Sequence, residues 1–252
     1  MKKQNLDDNN LKKRIAFLKQ SELFADLNEN DLNVVAQNFH PKRYKKKEII
    51  FHQGDDSRSF YLILKGKVRV VRVNESGDET SLKIYSDHDI IGEFSAIDGK
   101  PRSATVQALE DCILLEIVYG KFLRLISELP KLALGLINVL VKKLRWATSF
   151  AETIAQYDAA GRLLHIFLHY KDVLGKEIVA GKMYELNLSM NQSDLASLVG
   201  TRREWVNRIL QDWKRRNLID YKNGKITIID LASVEKERNQ RMFSNSSENL
   251  EW

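Results

Sequence analysis

Residues 192–219, QSDLASLVGTRREWVNRILQDWKRRNLI, hold two helical patterns separated by Val199-Gly200-Thr201. Leu195 and Leu198 face inward in the first, and Val206, Ile209 and Leu210 do so in the second. Gly200 makes the turn, and the second helix starts near Thr201, whose hydroxyl can cap it. The next stretch, DYKNGKITIID (220–230), is a hairpin with Asn223-Gly224 at its turn. Two helices joined by a tight glycine turn and followed by a β-wing make a winged helix-turn-helix, whose second helix enters a DNA major groove.

The chemistry of that second helix agrees. With its apolar residues turned inward, Arg202, Arg203, Asn207 and Arg208 point outward beside Glu204, and Gln192 opens the first helix. Arg reaches guanine O6 and N7 with two parallel hydrogen bonds, and Glu accepts from cytosine N4. The window 202–216 carries five Arg and one Lys against Glu204 and Asp212, a surplus suited to phosphate contacts. A solvated helix face would explain scattered charges, but not glycine, cap, basic face and wing in this order.

Moving toward the N-terminus, Arg162–Lys171 is a helix with a solid apolar face and MYELNLSM suggests a strand. Asp158-Ala-Ala-Gly161 breaks the preceding helix and is the candidate hinge. From 130 to 157 the chain reads as one long helix in which Ala133, Ile137, Leu140, Leu144, Ala147, Ala151 and Ile154 step by four and three. That is a heptad seam, fit for pairing with a second copy. Between about 43 and 118 lie short strand-like runs (EIIFHQ, SFYLILK, KVRVVRV, TSLKIYS, ATVQAL, CILLEIV) broken by turns such as QGDDS and NESGDE. Closely spaced strands of this kind read as an antiparallel roll of jelly-roll type.

The expected fold class is therefore α+β: an N-terminal β-roll, a long dimerisation helix and a C-terminal winged helix-turn-helix. Its expected segments are an N-terminal extension or first helix (1–20), the roll (21–129), the dimer helix (130–157), the hinge (158–161), the DNA-binding domain (162–238) and a loose tail (239–252).

The composition fits a globular chain: 252 residues, 43% hydrophobic and 29% charged, with 3 Pro and 12 Gly. The longest apolar run, Leu132–Val141, is interrupted by Asn138 and is far short of the roughly 20 residues of a membrane span. No signal-peptide core is present in MKKQNLDDNNLKKR, so a cytoplasmic protein is expected. The single Cys112 excludes an internal disulfide and an iron–sulfur cluster.

The segment IIGEFSAIDGKPRSATV (90–106) concentrates unusual residues between two strands. Gly92 permits close backbone approach, Glu93 can accept from a sugar hydroxyl, and EFSAID can form a helical turn with N–H groups aimed at an anion. Arg102 can grip a phosphate and Ser103 add a further bond. Two readings stand: an anion site, or a structural Arg–Glu ion pair.

From about residue 21 to 235 the order of roll, long helix, hinge and winged helix resembles the catabolite activator and fumarate–nitrate regulator (Crp/Fnr) family of bacterial transcription factors. The 90–106 segment resembles that family's phosphate-binding cassette. The resemblance implies a cyclic-nucleotide site built from Gly92, Glu93, Phe94, Ser95, Arg102, Ser103 and Ala104, with Glu93 on the ribose 2′-hydroxyl and Arg102 and Ser103 on the cyclic phosphate. It places Ala147 and Thr148 at the base, where Thr148 keeps a family hydroxyl and Ala147 loses one. TRREWVNRIL is similar to the family's reading helix, so Arg203 and Arg208 are implied to address guanines and Glu204 a cytosine of a TGTGA-like half-site. Arg202 and Trp205 depart from the small hydroxyl residues of the cyclic-AMP-regulated members. The implied effector is cyclic AMP, with cyclic GMP, a haem-bound gas or no ligand as alternatives. The implied partners are double-stranded DNA, a second copy of the chain and RNA polymerase, the last at Lys171–Lys182. No metal is expected: His165 and His169 are four apart on a helix without a third ligand. No nucleophile elbow, Walker loop or HExxH motif is present, so an enzyme is not expected.

Overall fold

The computed structural model describes residues 11–242. Period-two patterning organises the first of two units, Met1–Arg145. Strand β3 (Phe60–Lys65) sends Phe60 and Leu62 to one face and Tyr61 and Ile63 to the other, all four buried. Strands β8 (Cys112–Ile117) and β6 (Ile90–Ile91) alternate likewise. Cys112, Leu114 and Ile91 join Tyr61 and Ile63 in one core, while Leu115, Ile117 and Ile90 join Phe60 and Leu62 in another. With β1 (His40–Tyr44) they form an antiparallel sheet of order β1-β8-β3-β6. A sheet buried on both faces reads as unbroken apolar runs, which is why FYLILK and CILLEI show no strict alternation. The second sheet, of order β2-β7-β4-β5, consists of β2 (Ile49–Phe51), β7 (Thr105–Ala108), β4 (Val68–Val73) and β5 (Glu79–Tyr85). It contributes Phe51, Val68 and Val106 to the inner core.

The expected roll is present with two additional strands. HPKRY in β1 is a mostly exposed edge strand, where Pro41 is tolerated and no apolar pattern is required, and β6 is two residues long. Helices cover the outer core: α1 (residues 11–18), α2 (Glu29–Asn38, capped by Asn28), α4 (Tyr119–Glu128) and the start of α5 (Pro130–Gln156) supply Leu18, Val35, Phe122 and Leu132. Of the two readings of 1–20, an extension or a first helix, residues 11–18 form the helix. Arg14 donates to the carbonyls of Ala36 (2.7 Å) and Phe39 (2.9 Å), and Phe17 stacks on His88 at 4.2 Å. Residues 1–10 and, in the expected tail, 243–252 lie outside the described residues.

Helix α5 buries Leu132 and Leu136 and exposes Leu134, Ile137, Val141, Leu144 and Ile154. The expected seam is corrected at Ala133 and Leu140, which are part-buried, Leu140 against the roll core; Leu134 and Val141 take their places on the open face. No helix among the described residues is long and apolar enough to cross a membrane.

The second unit, Trp146–Trp252, includes the last turns of α5, so the division falls inside the helix and not at 158–161. Trp146 lies 4.0 Å from the His169 ring and Thr153 is buried. The helix break is at Tyr157-Asp158, and residues 159–161 already form the first turn of α6 (Ala159–Leu174). Asp158 caps that turn, accepting from the Gly161 N–H at 2.7 Å. Then come β9 (Gly175–Val179), β10 (Met183–Asn187), α7 (Gln192–Val199), α8 (Arg203–Arg215), the hairpin β11 (Ile219–Lys222) and β12 (Lys225–Ile228), and α9 (Leu231–Asn239). Asn223 and Gly224 both have positive φ (52° and 82°), as a tight hairpin turn requires. The wing belongs to a four-stranded sheet of order β11-β12-β10-β9. The sequence reading did not separate α9 as a helix; its carboxyl end and residues 240–242 are ordered, and Met242 bridges to Tyr157.

Candidate effector and DNA-reading sites

The β6–β7 connection is built around one arginine. Helix α3 (Glu93–Asp98) starts after Gly92, whose φ of +80° is left-handed and where a Cβ would lie 2.5 Å from Arg102 Nη1 and 2.8 Å from the Ser59 carbonyl oxygen. Only glycine lets the guanidinium pass. Arg102 is 2% exposed and donates from Nη1 to the Gly92 carbonyl (2.9 Å), from Nη2 to the Ser59 carbonyl (2.6 Å) and from Nε to Ser57 Oγ (3.1 Å). Its guanidinium carbon sits 4.0 Å from the centre of the Phe51 ring. Burial pushes its pKa below the usual arginine value. A guanidinium has five N–H donors, so these three bonds leave two.

Glu93, 4% exposed, opens α3. The ion pair it makes is with Lys143 of α5, Nζ to Oε1 at 2.7 Å, and the same ammonium donates to the Ile90 carbonyl at 2.8 Å and lies 4.5 Å from the Tyr85 ring centre. The structural alternative raised by the sequence, an Arg102–Glu93 pair, is replaced by this one. Phe94 and Ser103 are exposed while Ser95 and Ala104 are buried. The connection thus brings together a buried carboxylate, two spare guanidinium donors and an accessible hydroxyl. Ala147 and Thr148 are exposed on α5 in the second unit.

Lys143 was missed by sequence reasoning, yet it left a signal. Leu132, Leu136 and Val139–Leu140 form the row of α5 turned to the roll, and Lys143 continues that row. A lysine on a buried row needs a buried acceptor, because an unpaired charge there is too costly.

In the second unit, Leu195, Leu198, Val206 and Leu210 are buried as expected, and Ile209 is half-buried. Thr201 is not the cap of α8. Its N–H donates to the Ala196 carbonyl at 3.0 Å to close α7 behind the left-handed Gly200 (φ 69°), and the N-cap position falls to Arg202, without a side-chain cap bond. Arg202, Arg203, Glu204, Asn207 and Arg208 are all exposed. Among the described residues, Arg202, Arg203, Glu204 and Arg208 take part in no ion pair, while Gln192 Nε2 donates to Asn207 Oδ1 at 3.2 Å. The carboxyl-terminal half of α8 differs. Lys214 pairs with Asp220 (2.8 Å), Arg215 with Asp212 (3.3 Å), and Arg216 with Asp212 (3.2 Å) and Glu237. A cavity of about 260 Å³ between α8 and the hairpin is lined by Gln192, Gln211, Lys214, Lys222 and Asn223 among others.

Residues 41–128 match the family model for a cyclic nucleotide-binding domain, and residues 160–237 match that for a Crp-like helix-turn-helix domain. The chain is 30% identical over 192 residues to the cAMP-activated global transcriptional regulator CRP of Salmonella typhimurium, covering 75% of this chain and 89% of that protein. It is 29% identical over 219 residues to the cyclic AMP receptor protein of Thermus thermophilus, covering 87% and 97%. Its fold is that of the c-di-GMP responsive global regulator CLP of Xanthomonas campestris, with a TM-score of 0.67 at 20% identity over 80% of this chain and 99% of that one. By its paired domains and its likeness to these regulators, the chain belongs to the Crp/Fnr family of DNA-binding transcription regulators carrying a cyclic-nucleotide-binding domain.

Proposed function

We propose that the protein works in the cytoplasm as a homodimer that takes cyclic AMP as its effector and reads a near-palindromic, TGTGA-like site. The observation that carries the effector half is the Lys143–Glu93 ion pair. A ribose hydroxyl that donates to Glu93 competes with Lys143 for one carboxylate, so nucleotide in the roll changes a contact of α5 itself. The spare donors of Arg102, the hydroxyl of Ser103 and the main chain of Gly92, Phe94, Ser95 and Ala104 are assigned to the cyclic phosphate. Ala147 and Thr148 are assigned to the base. To turn a mostly inactive population into a mostly active one, the effector must favour the active arrangement by about 5.5 kcal/mol, which only contacts that differ between the two states supply.

The open stripe of Leu134, Ile137, Val141 and Leu144, continued by Ala147, Ala151 and Ile154, supports pairing with a second copy. Two copies present two α8 helices to half-sites about one helical turn apart. In each, Arg203 and Arg208 address guanines and Glu204 a cytosine, with Gln192, Thr201, Arg202 and Asn207 around them. RNA polymerase is assigned to residues 171–182, on the family resemblance.

A second reading, another effector or none, is favoured by the three internal bonds that Arg102 already makes. Calorimetric titration with cyclic AMP, cyclic GMP and cyclic di-GMP separates the two. Cyclic AMP is expected to bind with one site per chain, and Arg102→Leu to abolish the heat. Absence of heat with every nucleotide overturns the sensor reading and leaves DNA binding untouched; an absorbance scan of the purified protein then tests for haem.

A further inference from the structure

An ionic chain runs through the second unit, apart from both sites above. Its centre is Glu237 on α9, 6% exposed, a carboxylate held between two arginines. On one side Arg216, the residue that ends α8, donates to both Glu237 oxygens and to Asp212. On the other, Arg241 donates to Glu237 from Nη2 (2.8 Å) and Nε (3.2 Å), and from Nη1 to Asp158 Oδ2 (3.3 Å). Asp158 is the residue that caps α6 at the helix break. The main chain repeats the link, since the Asp158 N–H donates to the Arg241 carbonyl at 3.3 Å. A second strap runs alongside. Arg162 donates to the Tyr157 carbonyl (2.9 Å) on the break and to the carbonyl of Val199 (3.0 and 3.2 Å), the last residue of α7.

We infer that Glu237, on a helix that contributes nothing to the assigned reading face, is a positioning residue that clasps the carboxyl end of α8 to the helix break before α6, so that the two move as one piece. Its chemistry suits the task. A buried anion between two cations is satisfied only while both remain in place, so loosening either end leaves an uncompensated charge at the centre. The flanking arginines bind through several N–H groups each, which fixes direction as well as distance. Arg162 ties the end of α7, at the turn before α8, to the same break, so the turn that leads into α8 and the carboxyl end of α8 are both referred to Tyr157-Asp158. Its consequence for DNA rests on α8 being the reading helix; the clasp itself rests on the ion pairs alone.

The test uses the full-length protein in hydrogen–deuterium exchange and in anisotropy titrations on two duplexes, one with inverted TGTGA-like half-sites and one scrambled. Arg241→Gln, which loses the bonds to Glu237 and Asp158, is expected to raise exchange at 157–163 and also at 213–218, the remote end of the clasp. Glu237→Gln is expected to raise both and to lower discrimination between the duplexes by about fivefold, with scrambled-duplex affinity unchanged within about twofold and partial rescue by Glu237→Asp. Exchange rising only at 157–163 in Arg241→Gln, or only within 231–239 in Glu237→Gln, overturns the clasp. If Glu237→Gln does not fold, Arg241→Gln alone decides. If the wild-type protein fails to discriminate the duplexes, the TGTGA reading falls, while the exchange pattern still decides the clasp.

Discussion

In the first unit, Arg102 is buried and Lys143 part-buried, and both are bonded within the protein; on the amino-terminal half of α8, Arg202, Arg203 and Arg208 are exposed and in no ion pair among the described residues. The same kinds of side chain are used in opposite states. A small ligand must be enclosed, so on the proposed reading the effector meets groups that the protein already bonds internally, and at Glu93 it competes with Lys143. A DNA duplex is met from outside, so side chains proposed to read it stand in water, and binding would replace hydration and counterions. Substitutions should therefore disturb both fold and binding in the first region and binding alone in the second.

The largest expected effect is at Lys143. Lys143→Met leaves Glu93 charged, nearly buried and without its ion-pair partner, and should cost about 3–5 kcal/mol in urea unfolding of the first unit. Adding Glu93→Gln should recover most of that loss, because it removes the stranded charge. A double variant as unstable as the single one would show that packing, and not charge, holds α5 to the roll. By contrast, Arg203→Ala should leave the unfolding midpoint within about 0.5 kcal/mol of wild type yet relax discrimination at one base pair by about 1–3 kcal/mol. Equal losses on all sequences would move Arg203 from base reading to phosphate contact.

The same contrast governs what was legible in the sequence. The turn at Gly200, the inward Leu195, Leu198, Val206 and Leu210, and the outward Arg203 and Arg208 follow from local periodicity, because one face of a short helix decides them. Glycine and arginine at 92 and 102 were legible as a pair, but not their geometry: Arg102 spans to Ser57 and Ser59, more than 40 residues away in the chain. Lys143 with Glu93, and Glu237 with Arg216, are likewise long-range pairings that no local pattern encodes. Thr201 was misjudged because a hydroxyl beside a glycine turn looks like a cap; its amide instead closes the preceding helix, and α8 starts two residues later. Edge strand β1 escaped because a strand with almost no buried face has no period to show.

A smaller effect, on pH, separates buried from exposed charge in the second unit. The bonds from Arg216 and then Arg241 outweigh the opposing effect of burial and pull the Glu237 carboxyl down to about 2. A carboxyl with a depressed native pKa contributes stability that is present above its unfolded value, near 4.3, and lost as pH falls toward the native one. Between pH 7 and pH 3.5 the wild-type advantage over Glu237→Gln should therefore shrink by about 1 kcal/mol in urea unfolding. A constant difference across that range would mean that the carboxylate is not held by its arginines.

The smallest expected effect divides α8 itself. Summed over the sequence, residues 202–216 carry a net four positive charges, but Arg216 is engaged by Asp212 and Glu237 whereas Arg202 is in no ion pair among the described residues. Each phosphate that a cation neutralises adds about 0.9 to the slope of log affinity against log salt. Arg202→Gln should lower that slope by about one contact's worth, and Arg216→Gln should leave it unchanged, since a guanidinium already held by two carboxylates releases no counterion on binding. Equal slopes for the two variants, both below wild type, would mean that DNA draws Arg216 out of its internal pair. The exposed and the engaged halves of the helix would then form one electrostatic surface.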